Sequence, residues 1–105
     1  MAVLAASDTD FAQQLTDHDK VVVKYFADWC GTCKLIASKY RALADKPEYA
    51  GVVFLDVNAE ESPEARKQAG VNNLPFFATF KNGQLTQADF TSKIESVEKM
   101  VAELL

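Results

Sequence analysis

Apolar residues recur in short runs in the first half of the chain, and these runs predict strands at residues 2–6, 21–27 and 52–57. In the run at residues 21–27, the odd-numbered and the even-numbered positions are both apolar, except for Lys24. A strand that is apolar on both faces is typical of the centre of a sheet whose two sides are covered by helices. We therefore expect residues 21–27 to form a central strand, with Lys24 as a charge in an apolar setting.

Helical spacing fills the intervals between these strands. Ser7 with Asp10 predicts a cap for a helix over about residues 8–16. A second helix covers about residues 33–45 and is stopped by Pro47, because the residue before a proline avoids the α region. The apolar stripe expected on this second helix consists of Leu35, Ile36, Tyr40, Leu43 and Ala44.

A third helix is predicted by its two ends. Ser62 reads as its cap and Pro63 as its first position, and Gly70 marks its end. Strand and helix thus alternate three times, which is typical of a parallel α/β arrangement.

The pattern changes after this third helix. Residues 76–80 and 85–90 are strand-like and flank Asn82-Gly83, and Asn-Gly is a strong signal for a tight hairpin. A last helix is predicted from apolar residues at helical spacing, namely Ile94, Val97, Val101 and Leu104. The whole pattern predicts an α/β fold with a central mixed five-stranded sheet flanked by four helices.

Length and composition narrow the class of protein. A chain of 105 residues is expected to form one domain over residues 1–105, and 25% charged with 49% hydrophobic residues argues against disorder. The net charge of −4 gives no reason to expect nucleic acid or an anionic membrane as a partner. The chain contains no apolar run near the ~20 residues of a membrane span. Its start lacks the basic residues of a secretory signal, so we expect a cytoplasmic protein, although a processed chain with a new Met1 would look the same.

The chemistry is concentrated in Trp29-Cys30-Gly31-Thr32-Cys33, which holds both cysteines of the chain. Two thiols at this spacing meet within one turn when the second lies on a helix, so the pair can cycle between dithiol and disulfide. The other readings are half of a zinc site or a structural pair. Structural zinc usually takes four Cys or His ligands, and the one histidine, His18, lies in a polar connector.

Three motifs at matching spacing resemble the thioredoxin family. They are residues 26–34 with the Cys-Gly-Thr-Cys turn, Leu74-Pro75, and the hairpin segment at residues 80–83. The resemblance implies a thioredoxin fold and a thiol–disulfide oxidoreductase, most simply a monomeric protein-disulfide reductase. It implies protein disulfides as substrates, a thioredoxin reductase as partner, and no cofactor or metal beyond the redox-active disulfide.

The resemblance also implies residue roles. Cys30, at the start of a helix where the dipole favours negative charge, attacks the substrate disulfide, and Cys33 resolves the mixed disulfide. A cis bond is implied between Leu74 and Pro75. The groove for the partner chain is expected to consist of Trp29, Gly31, Thr32, Leu74 and Pro75.

The motif departs from the family pattern at Thr32, which replaces the usual proline. Its backbone N–H and hydroxyl would favour a thiolate, and hence a less reducing couple. Phe76 replaces a threonine and Thr91 a glycine, and both are expected to add bulk to the docking face.

Lys24 and Asp56 stand where the family has a buried aspartate and its lysine partner, so we expect a charge pair with its ends exchanged. The other reading has Lys24 reaching solvent and Asp56 as a strand-end acid. As candidate catalytic residues they leave two roles open for Lys24, a cation beside Cys33 or a neutral amine that accepts its proton.

Two other functions remain open from the sequence. One is a more oxidising or isomerase-like protein, and the other is a non-catalytic binding module on the same fold.

Overall fold

The computed structural model describes residues 3–105 and contains one mixed sheet within that range. The five strands described there are β1 Val3–Ala6, β2 Lys20–Phe26, β3 Val53–Asn58, β4 Phe76–Lys81 and β5 Gln84–Phe90. Their spatial order is β1-β3-β2-β4-β5, with β1, β3 and β2 parallel and with β4 and β5 antiparallel to their neighbours. The predicted α/β sheet is confirmed; the proposed strand start at Ala2 lies outside the described residues.

Helices cover both faces of this sheet. The α-helices within residues 3–105 are α1 Phe11–Asp17, α2 Gly31–Ala44, α3 Pro63–Ala69 and α4 Ile94–Ala102, and a short 3-10 helix, Pro47–Tyr49, follows α2. Buried side chains of α1 and α3 join one core cluster, and those of α2 and α4 join the other. The sheet is therefore the middle layer of three, as the two apolar faces of β2 predict.

Alternation along β2 places its side chains on both cores. Val21, Val23 and Tyr25 pack on the side of α1 and α3, and Val22 packs on the side of α2 and α4. Because successive side chains alternate across a sheet, Lys24 lies on the same side as Val22, under α2.

The hairpin between β4 and β5 turns on the two residues expected from the sequence. Asn82 has φ 53° and Gly83 has φ 80°. Positive φ at both central positions is what a two-residue type I′ turn requires, and Asn-Gly adopts it at low cost. Beyond this turn β5 is an exposed edge strand, with Leu85 and Phe90 open to solvent.

The helix starts differ from the sequence prediction. Asp10 Oδ1 accepts the Ser7 N–H at 2.9 Å, which forms a separate turn, so α1 begins at residue 11 rather than 8. The hydroxyl of Ser62 does not cap α3. Instead, the carboxylate of Asp8 accepts the N–H groups of residues 64 and 65 at 3.0 and 2.8 Å. A side chain more than fifty positions away in sequence thus caps this helix.

Leu35 was expected in the buried stripe of α2, and this was wrong. Its side chain is 77% exposed, whereas Ile36, Tyr40 and Leu43 are buried. The stripe of α2 follows residues 33, 36, 40 and 43, and position 35 lies on the opposite side of the helix.

A small cluster joins the end of α2 to α4 and is expected to make stability depend on pH. Glu98 Oε2 accepts hydrogen bonds from Lys46 Nζ and Tyr49 Oη, each at 2.9 Å. The Lys46 hydrogen bond, followed by that of Tyr49, lowers the pKa of Glu98 from its ordinary value of 4.5. A folded-state pKa below the unfolded one stabilises the fold above pH 4.5, and this contribution disappears as pH falls through the lower folded value.

We therefore expect Glu98→Gln to flatten the acid side of a plot of the free energy of unfolding against pH. Glu95→Gln, a change of the exposed carboxylate on the same helix, is the control and should leave that curve unchanged. Urea unfolding at a series of pH values measures both. Equal curves for the wild type and Glu98→Gln would rule out the contribution.

Candidate active site

The cysteine pair lies where β2 ends and α2 begins. Cys30 is the N-cap of α2, and its N–H donates to the carbonyl of Ala27 at 3.1 Å. The N–H of Cys33 donates to Cys30 Sγ at 3.1 Å. The two sulfurs are joined as a disulfide, with the Cα atoms 5.3 Å apart. A four-residue connection, residues 27–30, thus carries the chain from the sheet into a helix whose start holds both sulfurs.

Both cysteines are shielded in this disulfide state. Cys30 is 5% exposed and Cys33 is 2% exposed, while the intervening Gly31 and Thr32 are open to solvent. The turn therefore presents backbone and the Thr32 side chain to a partner, with the sulfurs directly beneath. The free N–H groups of the first helical turn point toward this end and favour a thiolate there.

Trp29 is exposed but held in place. Its side chain is 68% exposed, and Nε1 donates to Glu60 Oε2 at 2.8 Å. Glu60 is held by its own N–H, which donates to Asn58 Oδ1 at 3.0 Å. Glu60 was not among the site residues expected from the sequence. Its place in the sequence did indicate that it lies near Trp29. Trp29 and Glu60 each follow a parallel strand, and neighbouring parallel strands end at the same edge of a sheet.

Leu74 and Pro75 lie at this same edge, joined by a cis peptide bond as expected from the resemblance. Tyr25 at the end of β2 pairs with Phe76 at the start of antiparallel β4, so the residues before β4 lie beside those after β2. The carbonyl of Pro75 accepts the N–H of Thr91 at 3.3 Å. Leu74 is half-buried and Pro75 buried.

Phe76 was expected to add bulk to the docking face, and this was wrong. It is 6% exposed and belongs to the core cluster on the side of α1 and α3. Its ring meets that of Tyr25 edge-on, with centroids 6.3 Å apart. The side chain thus packs inside the molecule and adds no bulk to the surface beside Pro75.

Lys24 and Asp56 form the ion pair expected from the exchanged positions. Their Cα atoms are partners in the parallel register of β2 and β3, and Lys24 Nζ lies 3.2 Å from Asp56 Oδ1. The lysine side chain is 5% exposed and the aspartate side chain 30%. The buried end of the pair is thus the cation, and the carboxylate lies nearer to solvent.

Aromatic rings complete the surroundings of the buried ammonium. Lys24 Nζ lies 5.4 Å from the centre of the Tyr40 ring and 5.7 Å from that of Phe26. Tyr40 is fully buried, and its hydroxyl donates to the carbonyl of Leu55 at 2.9 Å. Ring faces attract cations at such distances, so these contacts add to the attraction of Asp56. Neither ring was expected beside Lys24 from the sequence, although Phe26 lies two residues after Lys24 on the same face of β2.

Burial raises the pKa of Asp56 above its ordinary value. The charge of Lys24, its contact with the carboxylate and the charge of Arg41 act in the opposite direction and are outweighed. Asp56 is therefore a more basic carboxylate than an exposed aspartate.

A pocket of about 190 Å³ connects this pair with the second cysteine. Its lining residues are Lys24, Phe26, Ala27, Asp28, Cys33, Lys34, Ala37 and Asp56. The pocket is large enough for several water molecules and is open to the surface beside Lys34 and Asp28, which are exposed. Cys33 and Asp56 thus share one space that solvent reaches.

His18 lies away from this site. It follows α1, beside the start of β2, and lines an open pocket with Asn82 and Gly83 at the opposite edge of the sheet. Within residues 3–105, no group of three or more His, Cys, Asp and Glu side chains is placed to hold a metal ion. Over the same residues, no helix has the length and apolar character needed to cross a membrane.

Comparisons with known proteins agree with this arrangement. The sequence profile of the family described as Thioredoxin matches residues 2–104. Over 83 residues the chain is 37% identical to the Thioredoxin of Malassezia sympodialis, a match that covers 78% of this chain and 79% of that protein. Over 106 residues it is 29% identical to Thioredoxin 1 of Plasmodium falciparum (isolate 3D7), covering 97% of this chain and 100% of that protein. The crystal structure of the Malassezia sympodialis thioredoxin matches with a TM-score of 0.88 at 26% identity, over 98% of this chain and 93% of that one.

Proposed function

The chain belongs to the thioredoxin family and is a thiol–disulfide oxidoreductase, and from that premise we propose that it reduces disulfide bonds of other proteins. The observation that carries the proposal is the cysteine pair at the start of α2, with Cys30 as the N-cap and Cys33 one turn further. Thioredoxins need no cofactor beyond this redox-active disulfide.

The reaction has two exchange steps. The thiolate of Cys30 attacks a substrate disulfide, which forms a mixed disulfide and releases the first substrate sulfur as a thiol. Cys33 then attacks Cys30 Sγ, so the Cys30–Cys33 bond forms and the second substrate sulfur leaves. The substrate gains two electrons and two protons, and the protein is left as the disulfide. A thioredoxin reductase returns the protein to the dithiol.

The exposed edge around the disulfide supports an extended partner chain. We expect Trp29, Gly31 and Thr32 to contact one side of that chain, and Leu74 with Pro75 to contact the other. The indole, fixed by Glu60, offers a rigid apolar surface, and rigid aromatic side chains bind partners at low entropic cost.

We further propose that the protein works as a monomer in the cytoplasm and serves there in electron transport to protein disulfides. A net charge of −4 supports proteins, rather than nucleic acids or anionic membranes, as partners.

Reduction of insulin tests the direction of the reaction. With dithiothreitol as the electron source, the protein is expected to accelerate precipitation of the insulin B chain over dithiothreitol alone. An absence of acceleration, together with faster oxidative refolding of a reduced and scrambled substrate, would assign the opposite direction.

Thr32→Pro is expected to make the couple more reducing. The change removes the Thr32 N–H and hydroxyl, which we expect to donate to the thiolate in the reduced protein, and one hydrogen bond to a charged group contributes about 1.5 kcal/mol, equal to roughly 30 mV. The wild-type potential should accordingly lie above the thioredoxin reference of about −270 mV, and that of Thr32→Pro below the wild-type value. Equilibration with glutathione measures both. Thr32→Ala, which keeps the N–H, separates the two donors, and an unchanged or higher potential for the proline variant would contradict the prediction.

A further inference from the structure

We propose that Asp56 accepts the proton that Cys33 loses when it resolves the mixed disulfide, while Lys24 remains a fixed cation. This inference rests on the proposed function, because it concerns the second exchange step alone. It gives Lys24 and Asp56 different roles, which the sequence alone did not distinguish.

Three groups lie around the Lys24 ammonium. The carboxylate of Asp56 lies 3.2 Å from Nζ, and the rings of Tyr40 and Phe26 lie 5.4 and 5.7 Å away. Each of these contacts attracts an ammonium and is lost by a neutral amine. Deprotonation would also leave the Asp56 carboxylate without its counter-ion. The neutral-amine role is therefore disfavoured, and Lys24 contributes a positive charge that favours the thiolate of Cys33.

Asp56 has the position and basicity of the acceptor. It lines the same 190 Å³ pocket as Cys33, which has room for water molecules that relay the proton from the thiol to the carboxylate. Burial raises the pKa of its carboxyl, which brings it closer to the pKa of a thiol and improves its efficiency as a base. Its side chain is 30% exposed, so the proton then leaves to solvent without crossing the core.

The proton and electron balance of the step is complete. The Cys33 thiol gives its proton to the Asp56 carboxylate, and the resulting thiolate attacks Cys30 Sγ. The Cys30–Cys33 bond forms, the bond from Cys30 to the substrate sulfur breaks, and the electron pair leaves on that sulfur. The substrate thiolate takes a proton from solvent, and Asp56 returns its own proton to solvent.

Other groups face the pair from the surrounding elements. They are Asp10, Asp28, Lys34, Tyr40, Arg41 and Glu61. Asp28 lines the same pocket as Cys33 and is the other carboxylate there, which makes it the matched control for Asp56. Burial, with the charge of Asp56 as a second cause, raises the pKa of Tyr40 well above its ordinary value, so its hydroxyl stays protonated.

The test uses the reduced full chain with less than one equivalent of dithiobis-nitrobenzoate, followed by stopped-flow absorbance. Attack by Cys30 releases one thionitrobenzoate, and resolution by Cys33 releases the second, so the two steps are separate phases. In the wild type, the second phase should change little between about pH 6 and 8, because the ionised carboxylate removes the proton. In Asp56→Asn the rate constant of the second phase should depend on the fraction of Cys33 that is already a thiolate. It should therefore fall about tenfold for each unit by which the pH is lowered, to roughly 100-fold below the wild type near pH 6.

Three variants decide the assignment. Asp56→Glu should restore the flat profile, and Asp28→Asn should leave it unchanged. Lys24→Met removes the charge and the hydrogen bond of Lys24, both of which lower the pKa of Asp56. In this variant the pH below which the rate constant of the second phase falls should therefore move upward. This variant also serves if Asp56→Asn does not fold, which thermal unfolding and the amplitude of the first phase reveal.

The outcomes separate this inference from the proposed function. A normal first phase with a wild-type second-phase profile in Asp56→Asn, or loss of the flat profile in Asp28→Asn instead, would overturn the role of Asp56 and leave the reductase intact. Absence of the first phase in the wild type would overturn the proposed function itself.

Discussion

A Cys30→Ser variant is expected to lose disulfide reduction by roughly a thousandfold or more, because a hydroxyl does not replace a thiolate as nucleophile in disulfide exchange. The fold should survive this change. Serine is among the best N-cap residues, and its oxygen can accept the Cys33 N–H that Cys30 Sγ accepts in the native chain. Loss of activity would then report the chemistry of the sulfur and not the loss of a helix cap. Insulin reduction, with circular dichroism as the check on the helix, measures both.

Cys33→Ser is the matched variant for the second step. It keeps the nucleophile but lacks the resolving thiol, so it should accumulate a mixed disulfide with the substrate, visible as an added mass in non-reducing mass spectrometry. The assigned order of the two cysteines would be reversed if Cys30→Ser formed that adduct and Cys33→Ser did not.

A Tyr40→Ala variant is expected to lose about 3–5 kcal/mol of stability, a large part of the 5–15 kcal/mol typical of a domain. Tyr40 is fully buried, and its ring contacts Phe54 and Phe77 with centroids 5.4 and 5.6 Å apart. Its hydroxyl proton is shared between the carbonyls of Leu55 and Val22, 2.9 and 3.2 Å away, so one side chain of α2 joins β2 to β3. Truncation leaves a cavity and removes a ring from beside Lys24.

Two further variants calibrate this loss in urea unfolding. Tyr40→Phe removes only the hydroxyl and should cost about 1 kcal/mol, because the ring contacts remain. Leu35→Ala truncates an exposed side chain of the same helix and should stay within about 0.5 kcal/mol of the wild type. A loss for Tyr40→Ala no larger than that for Leu35→Ala would contradict the assigned core role.

The order of strands and helices was predictable because it depends on local periodicity. The apolar faces of β2 determine its central place, and Asn82-Gly83 determines the hairpin. Helix starts were less predictable because they depend on distant partners. Asp8, which belongs to the turn before α1, caps α3, and nothing in its own neighbourhood indicates this.

The residues of the functional site also divide into those that were predictable from the sequence and those that were not. The cysteine pair and Pro75 were found from motifs, and the pairing of Lys24 with Asp56 followed from family positions that the parallel register brings together. Glu60 was missed because its contact with Trp29 spans thirty-one positions. The rings around Lys24 come from β2 and α2, so they become visible only once the helix is packed on the sheet.

Cys30 as the cap of α2 also couples the helix to the redox cycle. The N–H of Cys33 donates to Cys30 Sγ, an atom that changes between a disulfide sulfur, a thiol and a thiolate during turnover. Since the strength of that hydrogen bond follows the charge of the sulfur, the rate at which this amide proton exchanges with deuterium follows the oxidation state. Hydrogen–deuterium exchange at the Cys33 amide should therefore report the oxidised fraction of the protein without a substrate or a dye.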